Sequence, residues 1–197
     1  MTGLIECMAR ASLKGKIVES AEEVFRRQGF TATSIQDLVD AAGVPKGSFY
    51  NHFASKADLA ADIVLRYADA IDTNDLCSDG RPVVERLHTH FENQFARNVE
   101  SGVSYGCLIG TFANEVPVAG DVLRIAVHAA LDRWTTSIAS AIAEGQRLGQ
   151  ITQRTSSASL AAFLVDVFEG AVLRGKVTAA EFSLSERLDL ALASLAP

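Results

Sequence analysis

The sequence predicts an all-α fold, made of a small amino-terminal head of three helices and a larger helical body. Three observations predict it. No segment keeps the period-two alternation of a half-buried strand. Apolar residues recur instead at spacings of three and four along most of the chain. Residues 33–53, TSIQDLVDAAGVPKGSFYNHF, also read as two short helices around a tight turn.

The first helix is expected from about Ser12 to Gln28, with Leu13, Ile17, Ala21, Val24 and Phe25 turned inward and Gly29 as its stop. The second is defined by Ile35, Leu38, Val39 and Ala42, which form one apolar stripe. Thr33 with Gln36, or Ser34 with Asp37, offers a side-chain cap for its start. Gly43 is placed to end it in a left-handed conformation, and Pro45 suits the first turn of the next helix. A short glycine-containing link of this kind is what helix-turn-helix geometry requires. The third helix, about Lys46 to Phe53, buries Phe49 and Phe53, four apart on one face, and leaves Lys46, Ser48, Tyr50, Asn51 and His52 on the other. A fourth begins at Ser55, which forms a capping box with Asp58, and runs through Leu59, Ile63, Val64 and Tyr67.

This arrangement is the shape of a DNA reader. No acid lies between Val44 and Ala54 to repel phosphate, and Gly47 permits close backbone approach. The run Lys46-Gly47-Ser48-Phe49-Tyr50-Asn51-His52-Phe53, followed by Ser55-Lys56, strongly resembles the signature of the TetR/AcrR family of transcriptional regulators over roughly residues 10–66. The resemblance implies phosphate contacts from Tyr50, Lys56, the hydroxyl of Thr33 or Ser34, and His52, and base readout from Lys46, Gly47, Ser48 and Asn51. Asn51 departs from the aromatic residue often found at that place in the family. On this reading residues 10–56 are the DNA-binding domain and residues 57–197 the effector-binding and dimerisation domain.

Charge needs a local explanation. The chain carries a net charge of -6, which argues against bulk attraction to nucleic acid. Up to Arg66, however, 8 basic residues balance 8 acidic ones, so the acidic excess belongs to the body. A neutral head must place its cations, and Arg10, Lys14, Lys16, Lys46 and Lys56 are the candidates. Few phosphate contacts and a moderate salt dependence follow.

With 197 residues, 48% of them hydrophobic, the chain can bury a substantial core. No run approaches the roughly 20 apolar residues of a membrane span, and no leader peptide is expected. Cys7, Cys77 and Cys107 are odd in number and form no CxxC pair, which fits a reducing cytoplasm better than a disulfide scaffold.

After a polar loop at residues 72–82, body helices are expected at about Val83 to Val99, Cys107 to Val116 and Ala119 to Leu148, with a glycine-interrupted stretch at residues 101–106. Two more follow, at Ser157 to Leu173 and Leu184 to Leu195, the latter started by a box of Ser183 and Glu186. The first of this pair, ASLAAFLVDVFEGAVL, is apolar nearly all round and must be covered on both sides. With the stripe of Leu184, Leu188, Ala191, Leu192 and Leu195 it reads as a homodimer seam, residues 157–173 and 184–195, an arrangement the resemblance also implies.

Catalytic and metal readings find no support. His88 and His90 point about 200° apart on a helix and cannot share a metal. His128, set among apolar residues, reads as a hydrogen-bonded core histidine. No phosphate loop, HExxH or GxSxG motif is present, and no cofactor is implied. Phe91, Phe95, Phe112, Trp134, Phe163 and Phe168 supply apolar bulk that either lines a pocket for a small-molecule effector or serves as ordinary core. Cys107 stands at a helix start, where unpaired amides favour thiolate, and otherwise reads as an inert buried thiol. Its run YGCLIGTF resembles the corresponding helix start in a subgroup that includes regulators responsive to electrophiles or small unsaturated carboxylates, with Arg174 or Lys176 as cations that the fold could bring near. The expected function is therefore an effector-responsive regulator, a repressor of a pseudo-palindromic operator. A helical carrier and a helical enzyme are the readings it competes with.

Overall fold

The computed structural model describes residues 2–77, 79–100, 106–178 and 183–197, with side chains from residue 13 onward. The stretch 101–105, and the side chains of Cys7 and Arg10, lie outside the described residues. Ten α-helices and one 3-10 turn make up the described elements: α1 (Thr2–Ala32), α2 (Ile35–Ala42), α3 (Lys46–Tyr50), α4 (Lys56–Asp69), the 3-10 turn Asn74–Leu76, α5 (Val83–Glu100), α6 (Leu108–Ala113), α7 (Val116–Ala119), α8 (Asp121–Arg147), α9 (Ser157–Thr178) and α10 (Leu184–Ala193). The all-α expectation holds. The chain divides into two compact units, residues 1–67 with 111–128, and residues 68–110 with 129–197.

In the first unit, α1 begins well before Ser12, because residues 2–11 contain no proline and their one glycine, Gly3, falls in the first turn. Its regular turns end at Gly29, whose φ of 77° no L side chain adopts readily. The core is Ile17, Val18, Ala21, Phe25, Leu38, Val39, Phe49, Leu59 and Ile63, all buried, while Leu13 and Val24 are only half-buried. The cap of α2 is the Ser34–Asp37 pair. Asp37 N–H donates to Ser34 Oγ at 3.1 Å, and Ser34 N–H returns a bond to Asp37 Oδ2 at 2.7 Å. At the other end Gly43 sits at φ 64° and Val44 N–H reaches Val39 O, a left-handed closure. α3 is shorter than expected, since only single turn bonds from His52 and Phe53 to Phe49 O carry it onward.

The second unit is built on α5, α9, α10 and the carboxy-terminal part of α8. Val83, Leu87, Phe91, Trp134, Ile138, Ile142, Leu164, Phe168, Leu188, Leu192 and Leu195 are all buried. Arg86 is completely buried, a placement tolerated only with partners. It pairs with Glu144 at 3.0 Å and donates to Leu76 O at 3.0 Å, pinning the 3-10 turn to α5 and α8. Sequence periodicity misjudged three details. The helix expected from Cys107 to Val116 breaks into α6 and α7 around Glu115, and Pro117 sits in the first turn of α7. α9 runs on to Thr178, and His128 is exposed and is not a core histidine.

Candidate nucleic-acid interface and effector site

The recognition helix stands on Phe49 and Phe53. Both are buried, and their rings lie 5.7 Å apart. Sinking that face turns the opposite one to solvent: Lys46, Gly47, Tyr50 and Asn51 are exposed, and Ser48 and His52 are half-exposed. Tyr50 stands 55% exposed, a large aromatic group turned to water. The two hydroxyls before α2 separate. Thr33 is buried and donates to Gly29 O at 2.6 Å, which corrects the expectation that it faces DNA. Ser34 is exposed.

Lys56 differs from the other cations. Its Nζ donates to Phe30 O and Thr33 O, both at 2.6 Å, and lies 4.2 Å from the centre of the Phe30 ring. Burial lowers its pKa, against the pull of Glu115 and Asp37. Two of the three N–H groups of the ammonium are used in this way. Lys14 is likewise engaged, with Asp62 at 3.5 Å and the Phe53 ring at 5.3 Å, whereas Lys16 is exposed.

In the second unit Phe91, Trp134 and Phe168 form an aromatic cluster with centroids 5.5–6.0 Å apart. His90 joins it. Trp134 Nε1–H donates to His90 Nε2 at 2.8 Å, which assigns the proton of the neutral imidazole to Nδ1. Burial pushes the His90 pKa down to about 4, opposed by Asp75 and Asp72. Phe95 is half-buried. Two proposed pocket residues lie elsewhere. Phe112 belongs to the first unit, edge-on to Phe25 at 5.4 Å, and Phe163 is 42% exposed on α9, so neither lines this cluster.

Cys107 is buried just ahead of α6. Its thiol donates to the carboxyl of Glu169 on α9. Burial raises the Glu169 pKa, opposed by that hydrogen bond and by the charge of Lys176. The other carboxyl oxygen, Glu169 Oε1, is buried without a hydrogen-bond partner among the described residues. Two glycines make the room: a Cβ on Gly110 would strike Glu169 Oε2, and one on Gly106 would lie 2.5 Å from Lys176 Cε. The thiol is thus held beside an acceptor for its proton, not exposed at a bare helix terminus; among the described residues Cys77 is the exposed thiol. Glu169 was a missed residue. Its signal was one of two acids, the other Asp166, inside an otherwise apolar run.

These features define a helical DNA-reading regulator. The family described as bacterial regulatory proteins, tetR family, matches residues 17–63, and the tetracyclin repressor-like C-terminal domain matches residues 83–187. The HTH-type transcriptional repressor DhaR of Mycobacterium sp. (strain GP1) is 33% identical over 96% of each chain. The transcriptional regulator AcuR of Cereibacter sphaeroides is 29% identical over 82% of this chain and 75% of its own. The fold also matches reduced NemR of E. coli, with a TM-score of 0.78 over 93% and 95% of the two chains at 24% identity. The chain belongs to the TetR family of transcriptional regulators. Its relatives are regulators and not enzymes. No helix among the described residues is long and apolar enough to cross a membrane.

Proposed function

We propose that this protein is a homodimeric, cytoplasmic repressor that binds a pseudo-palindromic operator through residues 10–56 and is released by a small effector acting on residues 57–197. The observation that carries the DNA-reading half is the acid-free outer face of α3, raised on a buried Phe49–Phe53 frame. On it Lys46, Gly47, Ser48 and Asn51 read base edges, while Tyr50, His52, Ser34 and the remaining N–H of Lys56 hold phosphates. The repressor names of relatives such as DhaR support the direction of control.

Dimerisation is assigned to the outward faces of α9 and α10. Phe163, Leu173 and Val177 fall on one side of α9 and are exposed, as is Leu190 on α10. Large apolar residues gathered in this way mark an interaction surface. The effector is assigned to Cys107 as a small electrophile such as an α,β-unsaturated carbonyl compound. In that step the Cys107 sulfur bonds to the β-carbon of the acceptor, the thiol proton passes to Glu169, and the α-carbon is protonated in turn. Lys176 would stabilise the developing anion.

A gel shift with duplex DNA flanking the protein's own coding region tests the reading. Retention of one duplex over an excess of unrelated DNA is the expected result, and no preference at any salt concentration would sink it. A carrier would bind effector but no duplex, and an enzyme would consume the effector.

A further inference from the structure

Near the end of α1 the chain kinks at Gly29 and runs through Phe30, Thr31 and Ala32 to Thr33 before α2 begins. A turn of this kind exposes backbone amides that need partners. Two of them are met from far along the chain. Phe30 N–H donates to Glu115 Oε1 and Thr31 N–H to Glu115 Oε2, each at 2.6 Å, across 85 and 84 residues of sequence. The fork of one carboxylate thus holds two successive amides, each a charge-assisted hydrogen bond. Gly29 is required for it: its φ of 77° aims the following amides at Glu115, and a Cβ there would strike Glu115 Oε1.

The carbonyl side of the same turn is held by Lys56, through Phe30 O and Thr33 O. Turn, carboxylate and ammonium therefore close one network, in which Lys56 and Glu115 also attract each other. Burial of the Glu115 carboxyl acts to raise its pKa. The bonds from Thr31 and Phe30 and the charge of Lys56 outweigh that, so it is held below the usual value and the group is an anion. Glu115 is itself anchored, since its N–H donates to Phe112 O, and Phe112 packs on Phe25 of α1, which stacks with Phe30 at 6.1 Å.

We infer that Glu115 is a positioning residue for operator reading: its carboxylate captures the Phe30 and Thr31 amides and so fixes the turn that leads from α1 into the helix-turn-helix. The inference rests on the operator-binding reading above. Specific binding needs two heads held at half-sites about 34–36 Å apart, whereas non-specific binding needs only cations near phosphates. A residue that fixes the turn leading into the reading helices therefore acts on the first and spares the second.

Full-length Glu115→Ala and Glu115→Gln proteins test it, Gln keeping the shape if Ala fails to fold. Three quantities are read: Kd for the operator duplex, Kd for an unrelated duplex of equal length, and amide exchange at Phe30 and Thr31. The expected result is an operator Kd raised about tenfold or more, a non-specific Kd changed by less than about twofold, and both amides exchanging at least about tenfold faster. Wild-type operator affinity in Glu115→Gln overturns the inference. So does a parallel loss of both affinities with a lowered Tm, which would mark a merely structural residue. If the wild-type protein prefers no duplex, the operator reading is what fails; unchanged amide exchange in Glu115→Gln then overturns the latch as well, and faster exchange upholds it.

Discussion

Lys46 and Tyr50 carry the sharpest residue-level expectation, because both are exposed and Tyr50→Phe keeps the edge-on contact of its ring with Phe49 at 5.3 Å. Lys46→Ala and Tyr50→Phe should each weaken operator binding by roughly 1–3 kcal/mol, read by titration at fixed salt, with Tm unchanged. Wild-type affinity in both would remove α3 from the interface. His90 makes the opposite kind of prediction, one of stability. Its folded pKa of about 4 lies below the ordinary 6.5, so the stability it contributes is complete above pH 6.5 and is lost as the pH falls toward 4. The loss is up to about 3 kcal/mol, since each unit is worth about 1.4 kcal/mol. Denaturant unfolding of the wild type and of His90→Gln across that window should show the variant missing this component. Identical pH slopes would mean that His90 does not titrate as its burial implies.

At the scale of elements, α9 and α10 show why an apolar stripe has to be assigned to a face before it can be tested. Leu188 is completely buried within its own chain, so a charge there breaks the core and says nothing about assembly. Leu173 and Val177, 55% and 84% exposed, are the informative positions. Leu173→Glu should give a protein with wild-type helicity by circular dichroism that sediments as a monomer and no longer holds the operator, because a charge buried in the seam has no partner. A dimeric Leu173→Glu protein would move the interface elsewhere. Phe163→Glu should behave in the same way, being on the same side of α9.

For the molecule as a whole, the expectation is that modification at Cys107 releases DNA. N-ethylmaleimide should release wild-type protein and Cys77→Ser from the operator, whereas Cys107→Ser should bind and ignore the reagent. Cys77 is exposed and will react too, so release must be matched to the cysteine that mass spectrometry finds modified. Glu169→Gln should slow alkylation at Cys107 by about tenfold or more, having lost the proton acceptor, while the rate at Cys77 stays the same. If Cys107 alkylates last in every variant, a reversible apolar ligand replaces the electrophile as the signal.

What the sequence determined by itself was local. The caps at Ser34–Asp37, Ser55–Asp58 and Ser183–Glu186, the closure at Gly43 and the buried Phe49–Phe53 pair all depend on residues three to five apart, within reach of pattern and spacing. They were enough to place the head and the outward residues of α3. Tertiary structure alone decided which way ambiguous groups turn: Lys56 toward two backbone carbonyls, Thr33 into the interior, Phe163 outward, Phe112 onto Phe25. Each of these has an apolar or donor-bearing side chain suited to more than one environment, and for Lys56 and Phe112 the choice depends on partners remote in the chain. Glu115 is the extreme case. Its residue type and neighbours carry no signal, because both amides that define its role lie more than 80 residues away and are brought to it only when the first unit folds.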